Sequence, residues 1–269
     1  MPSLRYALEA ALVENPDDLA THYAYADYLQ EQAGPRGEFI QVQLALEQTG
    51  KTGEERQRLK SRERSLLAEH RRHWLGELAD ELLGPTHERR KRTDRPYQIS
   101  FARGWLHSII RPDPRSPRFR FTFEPGVGLG RLISRAAEAR LLRELVLSFE
   151  DLVGVRAIVQ SPNLHHLTHL RLHWSNLGDV GCTEIVTSGI LKRLKVLGLR
   201  HGAITDAGAG ILADCRDLRR LERLDISGNA LTQAGIDALR RVLGDTLRTR
   251  YQRTAEELAQ RSDLFLGGP

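Results

Sequence analysis

The chain has 269 residues, of which 40% are hydrophobic and 28% charged, with a net charge of +5 and a pI near 9.5. That length suffices for one large domain or two modest ones. It contains no run of 18 apolar residues, so no membrane-spanning helix and no membrane partner is expected. Cys182 and Cys215 stand at different positions of neighbouring segments, which argues against a disulfide and for a reducing, cytoplasmic setting.

The opening residues carry Glu9 and Glu14 and lack a long apolar core, so they read as a folded helix and not as a signal peptide. Leu4, Leu8, Ala11 and Leu12 mark that first helix. Pro16-Asp17-Asp18 breaks it and caps a second, with Leu19, Tyr23, Ala26 and Leu29 at helical spacing. Gly34-Pro35 stops the second. A third carries Phe39, Ile40, Val42, Leu44 and Leu46, and a fourth runs from Glu54 to His73 with Leu59, Leu66 and Leu67 inward. Residues 1–83 thus form a small helical bundle, able to fold alone or to dock on the edge of a neighbouring domain. Asp27, Arg36 and Glu38 form a charged cluster. Asp27 and Arg36 are expected to pair across the turn, with Glu38 favoured by the positive end of a helix.

The wording here is specific. Asn15-Pro16-Asp17-Asp18, Tyr25-Ala26-Asp27-Tyr28-Leu29, Gly34-Pro35-Arg36-Gly37-Glu38-Phe39-Ile40 and His73-Trp74-Leu75-Gly76 resemble the bacterial repeat-companion domain, a helical module found beside tandem repeats. Tyr28 stands where that family usually has Trp. The resemblance implies a bacterial origin and a repeat-bearing neighbour, and no established activity.

Residues 84–103 read as a basic linker. Within it, Arg89, Arg90, Lys91 and Arg92 are candidate nucleic-acid contacts. Gly104 to Ile110 resembles a strand, a proline-rich insert comes next, and Leu129 to Leu142 reads as a helix, so that 104–141 is an irregular capping unit. Gly126, Gly128 and Gly130 have the wrong spacing for a dinucleotide loop after a strand at Phe119–Phe123.

Residues 142–243 repeat. Leu142-x-x-Leu145-x-Leu147, Leu167-x-x-Leu170-x-Leu172, Leu194-x-x-Leu197-x-Leu199 and Leu221-x-x-Leu224-x-Ile226 place their central leucines 25, 27 and 27 residues apart. Leu152, Leu177, Ile204 and Leu231 close each turn. Helical stretches come after them, around Val155 and Ile158, Val180 and Ile185, Ile211 and Leu212, and Ile236 and Leu239, with Asp179, Thr205-Asp206 and Thr232 where N-caps belong. The pattern resembles ribonuclease-inhibitor-like leucine-rich repeats. Asn229 fits the turn position at which that family uses an amide. Glu150, Ser175 and Gly202 replace it in the other three repeats. The expected fold is α/β: a short solenoid with parallel strands on the concave face and helices outside, preceded by the bundle.

Residues 244–269 are expected to cap the end through a helix at Ala255–Arg261. Arg240 to Arg253 reads as a second basic helix and extends the nucleic-acid alternative.

No set of side chains suggests catalysis or a cofactor. No Gly-x-Ser-x-Gly and no phosphate loop ending in Lys-Ser/Thr occurs, and neither cysteine has a neighbouring base. His165, His166, His169 and His173 crowd one repeat, but no third metal ligand shares their face. Alternation along each strand gives outward columns: Glu144, His169, Val196, Arg223; then Val146, Arg171, Gly198, Asp225; then Ser148, His173, Arg200, Ser227; and Phe149, Trp174, His201, Gly228 at the strand exits. Arg171, His173, Trp174, Arg200, His201, Arg223 and Asp225 are therefore the candidate partner-binding residues. An exposed Trp174 flanked by cations is the chief anchor. The partner class is a neutral to acidic protein or peptide, and the function is non-enzymatic recognition, as an adaptor or regulator of a separate enzyme.

Overall fold

A computed structural model describes residues 3–84, 97–111, 128–175, 177–254 and 257. The bundle comprises α1 (Leu4–Glu14), α2 (Leu19–Glu31), α3 (Pro35–Glu47), α4 (Gly53–Trp74) and the short α5 (Ala79–Leu83). Capping sets the boundaries. Asp18 accepts from the Ala20 amide, Pro35 opens α3, and Thr52 and Glu55 form a reciprocal capping box at α4. The inward stripe of α2 is His22, Tyr25, Ala26 and Leu29, whereas Leu19 and Tyr23 are exposed. The stripe is thus rotated from the expected one, with His22 and Tyr25 buried in place of Leu19 and Tyr23.

One seven-stranded sheet runs in chain order: β1 (Gln98–Ala102), β2 (Trp105–Ile110), β3 (Glu144–Ser148), β4 (His169–His173), β5 (Val196–Gly198), β6 (Arg223–Asp225) and β7 (Leu247–Arg248). β1 and β2 are antiparallel and every later pair is parallel. Leu145, Leu170, Leu197 and Leu224 are consecutive register partners. Each turn returns through a helix: α6 (Leu129–Arg135) before β3, then α7 (Leu152–Gln160), α8 (Gly178–Thr187), α9 (Asp206–Asp214) and α10 (Gln233–Leu243), packed in a row. The leucines of both layers join one elongated core reaching from Leu75 to Leu247. Burial of such a stripe stabilises by about 25 cal/mol per Å² of apolar surface, and no single coil could achieve that alone.

The sheet departs from expectation at both ends. Residues 98–102, read as linker, are β1. The β1–β2 connection is a two-residue turn with Arg103 at φ 49° and Gly104 at φ 80°, the twist a tight hairpin prefers. A Cβ on Gly104 would lie 2.3 Å from Ile40, so the hairpin tip can sit this close to α3 only as glycine. The expected helix 129–142 ends at Arg135, and Ala137–Ala139 is a 3-10 turn. Arg240–Arg253 is not one helix: α10 ends at Leu243, the chain turns at Gly244 (φ 55°), and β7 comes next. Arg89–Arg92, Phe119–Phe123 and, except for Glu257, Ala255–Arg261 lie outside the described residues. Thr254 and Glu257 exchange capping bonds of 3.0 and 3.2 Å.

The bundle is welded to the repeats. Trp105 and Leu141 complete the core of Leu12, Tyr25, Leu29, Ile40 and Leu44, and Leu75, Leu78 and Leu82 enter the solenoid core beside Leu129 and Ile133. Buried Gln43 donates to Phe101 O and accepts from the Gly104 amide. Arg36, expected to pair with Asp27, instead donates to Gly104 O and lies 4.8 Å over the Trp105 ring, while Asp27 accepts from Gln41. Glu38 is in the first turn of α3, where it is held by Arg62.

Candidate interaction surface

The register builds the expected columns. Glu144, His169, Val196 and Arg223 align, as do Val146, Arg171, Gly198 and Asp225. The backbone ladder carries the third and fourth columns past the strand ends: Phe149 N–H donates to His173 O, Trp174 N–H to Arg200 O and His201 N–H to Ser227 O. Two cations of this face are internally paired. Arg171 donates to Glu144 at 2.5 Å, and its stem lies against Gly198, where a Cβ would meet it at 3.0 Å. Arg200 approaches Asp225 at 3.9 Å. The centre is therefore less positive than the sequence suggested.

Positive charge is also present at the C-terminal flank, through two residues that the sequence placed in the basic segment Arg240–Arg253 and not in the outward columns. Arg248 pairs with Asp225 in register, and Arg250 stands two residues further on, its amide donating to Ser227 Oγ. Arg223 and Arg248, on the last two strands, and Arg250, just beyond the last, are exposed. The signal was available: Leu247 continues the column of buried leucines one coil later. It was read instead as part of a cap.

Trp174 is partly buried, not an exposed anchor. It stacks on His201 with ring centroids 3.8 Å apart and on Phe149 at 6.5 Å, and Arg111 covers the far face of Phe149 at 5.5 Å. Phe149, Trp174 and His201 have φ of 65°, 56° and 56°. Bulky residues adopt this left-handed conformation at a cost of about 1–2 kcal/mol each, partly offset here by stacking at about 0.5–1.5 kcal/mol per pair. The fourth repeat has Gly228 at that point (φ 73°), and His201 lies over it: a Cβ would be 2.2 Å from Nδ1.

The histidines of the second repeat do not converge on one point, although the His165 and His166 rings lie 4.3 Å apart. His165 contacts Pro162 O, His166 contacts Val13 O across the bundle junction, and His169 contacts Thr168. Burial holds His166 and His169 below the usual imidazole range. Among the described residues, no group of three or more His, Cys, Asp or Glu could hold a metal. Burial pushes the Cys182 thiol up to about 12, so it is a core filler. No helix among the described residues is long and apolar enough to cross a membrane.

The N-terminal edges of the helices carry a device in which Asp179 and Asp206, both expected as local caps, serve the next coil instead. Asp179 does not cap α8. It reaches to the next coil, accepting from the amides of Thr205 and Gly208 (both 2.9 Å) and from Thr205 Oγ1. Asp206 does the same for Thr232. Thr205 and Thr232 then cap their own helices as expected.

A family model described as Leucine Rich repeat matches residues 163–186 and 218–239, the segments containing β4 with most of α8 and β6 with most of α10. No curated protein matches the chain. Register, core and family model agree that the chain is an α/β leucine-rich-repeat solenoid preceded by a helical bundle, and repeats of this kind are in general protein-interaction modules.

Proposed function

We propose that the chain is a non-enzymatic recognition module that holds a neutral to acidic protein or peptide on its concave face, as an adaptor or regulator of an enzyme in another chain. The observation carrying this reading is the stack of Arg111, Phe149, Trp174 and His201 at the strand exits, beside Arg200. Three bulky side chains occupy a backbone conformation that glycine would adopt at lower cost, and together they give a preformed planar edge. Such an edge loses little entropy on binding. Arg223, Arg248 and Arg250 on the adjoining flank favour carboxylates.

Affinity capture from the native host with the full chain tests the reading. Trp174→Ala and Arg200→Glu abolish partner capture while far-ultraviolet circular dichroism stays unchanged. Retained capture in both variants would remove the concave face from consideration. Steeply salt-dependent association with DNA or RNA in gel shifts, lost on changing Arg89–Arg92, Arg240 and Arg241, would replace protein recognition with nucleic-acid binding.

A further inference from the structure

The two edges of the sheet are finished differently. At β1 the bundle supplies a cover: Gln43 of α3 donates to Phe101 O at 2.9 Å, and the Phe101 ring packs edge-on against Phe39 and Trp74. Among the described residues, β7 pairs with β6 alone. Past β7 the chain stays in step with the fourth coil. Ile226 N–H donates to Arg248 O and Gly228 N–H to Arg250 O, both at 2.9 Å, and Arg250 N–H donates to Ser227 Oγ. Arg248 and Arg250 therefore spend backbone groups on the fourth coil, and strand alternation turns those of Leu247, Thr249 and Tyr251 outward.

In each earlier coil the exit residue donates to the next coil: Phe149 to His173 O, Trp174 to Arg200 O, His201 to Ser227 O and Gly228 to Arg250 O. Tyr251 is the fifth member of that row, with the left-handed φ (57°) of the others. Leu247 N–H turns back to Gly244 O. Among the described residues, the amides of Thr249 and Tyr251 meet no acceptor, and the Tyr251 ring, 82% exposed, has no later coil to rest on. Burial alternates along this edge: Leu247 is buried, Arg248 exposed, Thr249 half-buried and Arg250 exposed. Arg248 donates to the carbonyls of Asp245 and Leu247, and no carboxylate among the described residues pairs with it or with Arg250. An unpaired strand edge is a template for another strand. A second copy of this chain fits it poorly, because Arg248 and Arg250 would face their own kind.

We propose that β7 takes up an extended segment of a partner protein, acidic at alternate residues and apolar between them, as one more strand of the sheet. The carbonyls of that segment accept from Thr249 and Tyr251. Its acidic side chains stand beside Arg248 and Arg250, and its apolar ones continue the rows of Leu247 and Thr249. This edge is separate from the concave surface, and its use does not depend on what that surface captures.

Amide hydrogen exchange of the full chain with a terminally blocked Val-Glu-Val-Glu-Val peptide tests this. In the free protein the Thr249 and Tyr251 amides exchange quickly, and saturating peptide slows both by at least about tenfold. Binding saturates below about 1 mM in about 0.1 M salt. Two N-methylated peptides, one modified at both Glu and one at all three Val, separate strand addition from charge attraction. One loses binding and the other keeps it, since only alternate amides face β7. A Val-Lys-Val-Lys-Val peptide binds the parent at least about tenfold more weakly than the Val-Glu peptide does. In the Arg248→Glu, Arg250→Glu double variant that order is reversed. The proposal is overturned if the two amides are already protected in the free protein, by its own chain or by a second copy. It is equally overturned if no peptide binds saturably, if the two N-methylated peptides behave alike, or if the Val-Lys peptide matches the Val-Glu peptide on the parent.

Discussion

The first and fourth repeats meet the same problem, the free backbone groups of the turn after the strand, with different chemistry. In the fourth, Asn229 is wholly buried and makes four bonds. Its oxygen accepts from Gly202 and Ile204 amides at 2.8 and 3.1 Å, and its nitrogen donates to Leu199 and Ile226 carbonyls at 2.7 and 2.8 Å. In the first, Glu150 is buried too, but among the described residues its carboxylate accepts from the Gly130 amide alone, at 3.3 Å. An amide brings donors and acceptors in equal number and no charge. A carboxylate brings acceptors alone and must shed its water. Burial accordingly pushes the Glu150 carboxyl up to about 7. Coils of one solenoid can thus differ sharply in how they respond to pH and substitution.

Removing the amide breaks the better-satisfied end. Asn229→Ala strands two amides and two carbonyls between neighbouring coils and costs about 4 kcal/mol, at roughly 1 kcal/mol or more per buried unpaired group. Urea denaturation reads this as a lower midpoint.

Glu150→Gln is the opposite experiment. The folded carboxyl is raised from 4.5 to about 7, so the native state holds the proton more tightly than the unfolded chain does. Its stabilising contribution is complete below the ordinary carboxyl range and is lost as pH rises through about 7. At pH of about 8 the Gln variant is more stable than the parent, by on the order of 3 kcal/mol, and its stability changes less between acid and neutral pH. A parent and variant with parallel pH profiles would show that Glu150 is not desolvated.

The smallest effect sharpens the comparison one residue earlier, at the strand exits. Gly228→Ala puts a Cβ into the His201 ring at a φ of 73°, costing about 2 kcal/mol and loosening the Trp174–His201 stack. Thermal denaturation and near-ultraviolet circular dichroism of Trp174 report the two consequences.

Much of this architecture was legible in the chain. The constant spacing of Leu145, Leu170, Leu197 and Leu224 fixed the repeat, and alternation around them fixed which side chains share a column. Thr205 and Thr232 were recognisable as caps because that role depends only on neighbours within three residues. Reading failed where a side chain reaches another coil. Asp179 resembles a local cap yet serves Thr205, and Arg36 resembles a partner for Asp27 yet covers Trp105. Trp174 resembles a free anchor, but its neighbours in space are Phe149 and His201, 25 and 27 residues away.

The sequence by itself determined a coil that must stack, because a 25–27-residue unit with one apolar stripe can hide that stripe only against copies of itself. It also determined the side of the strand on which each residue stands, since strand geometry has a period of two. Tertiary structure alone decided which charges cancel, as Arg171 and Arg200 do against Glu144 and Asp225. It alone added β7 to the sheet, with Arg248 beside Asp225, and left a half-open cleft between bundle and sheet. Those outcomes depend on side chains meeting across coils and across the junction, at distances of a few ångströms that separation along the chain does not encode.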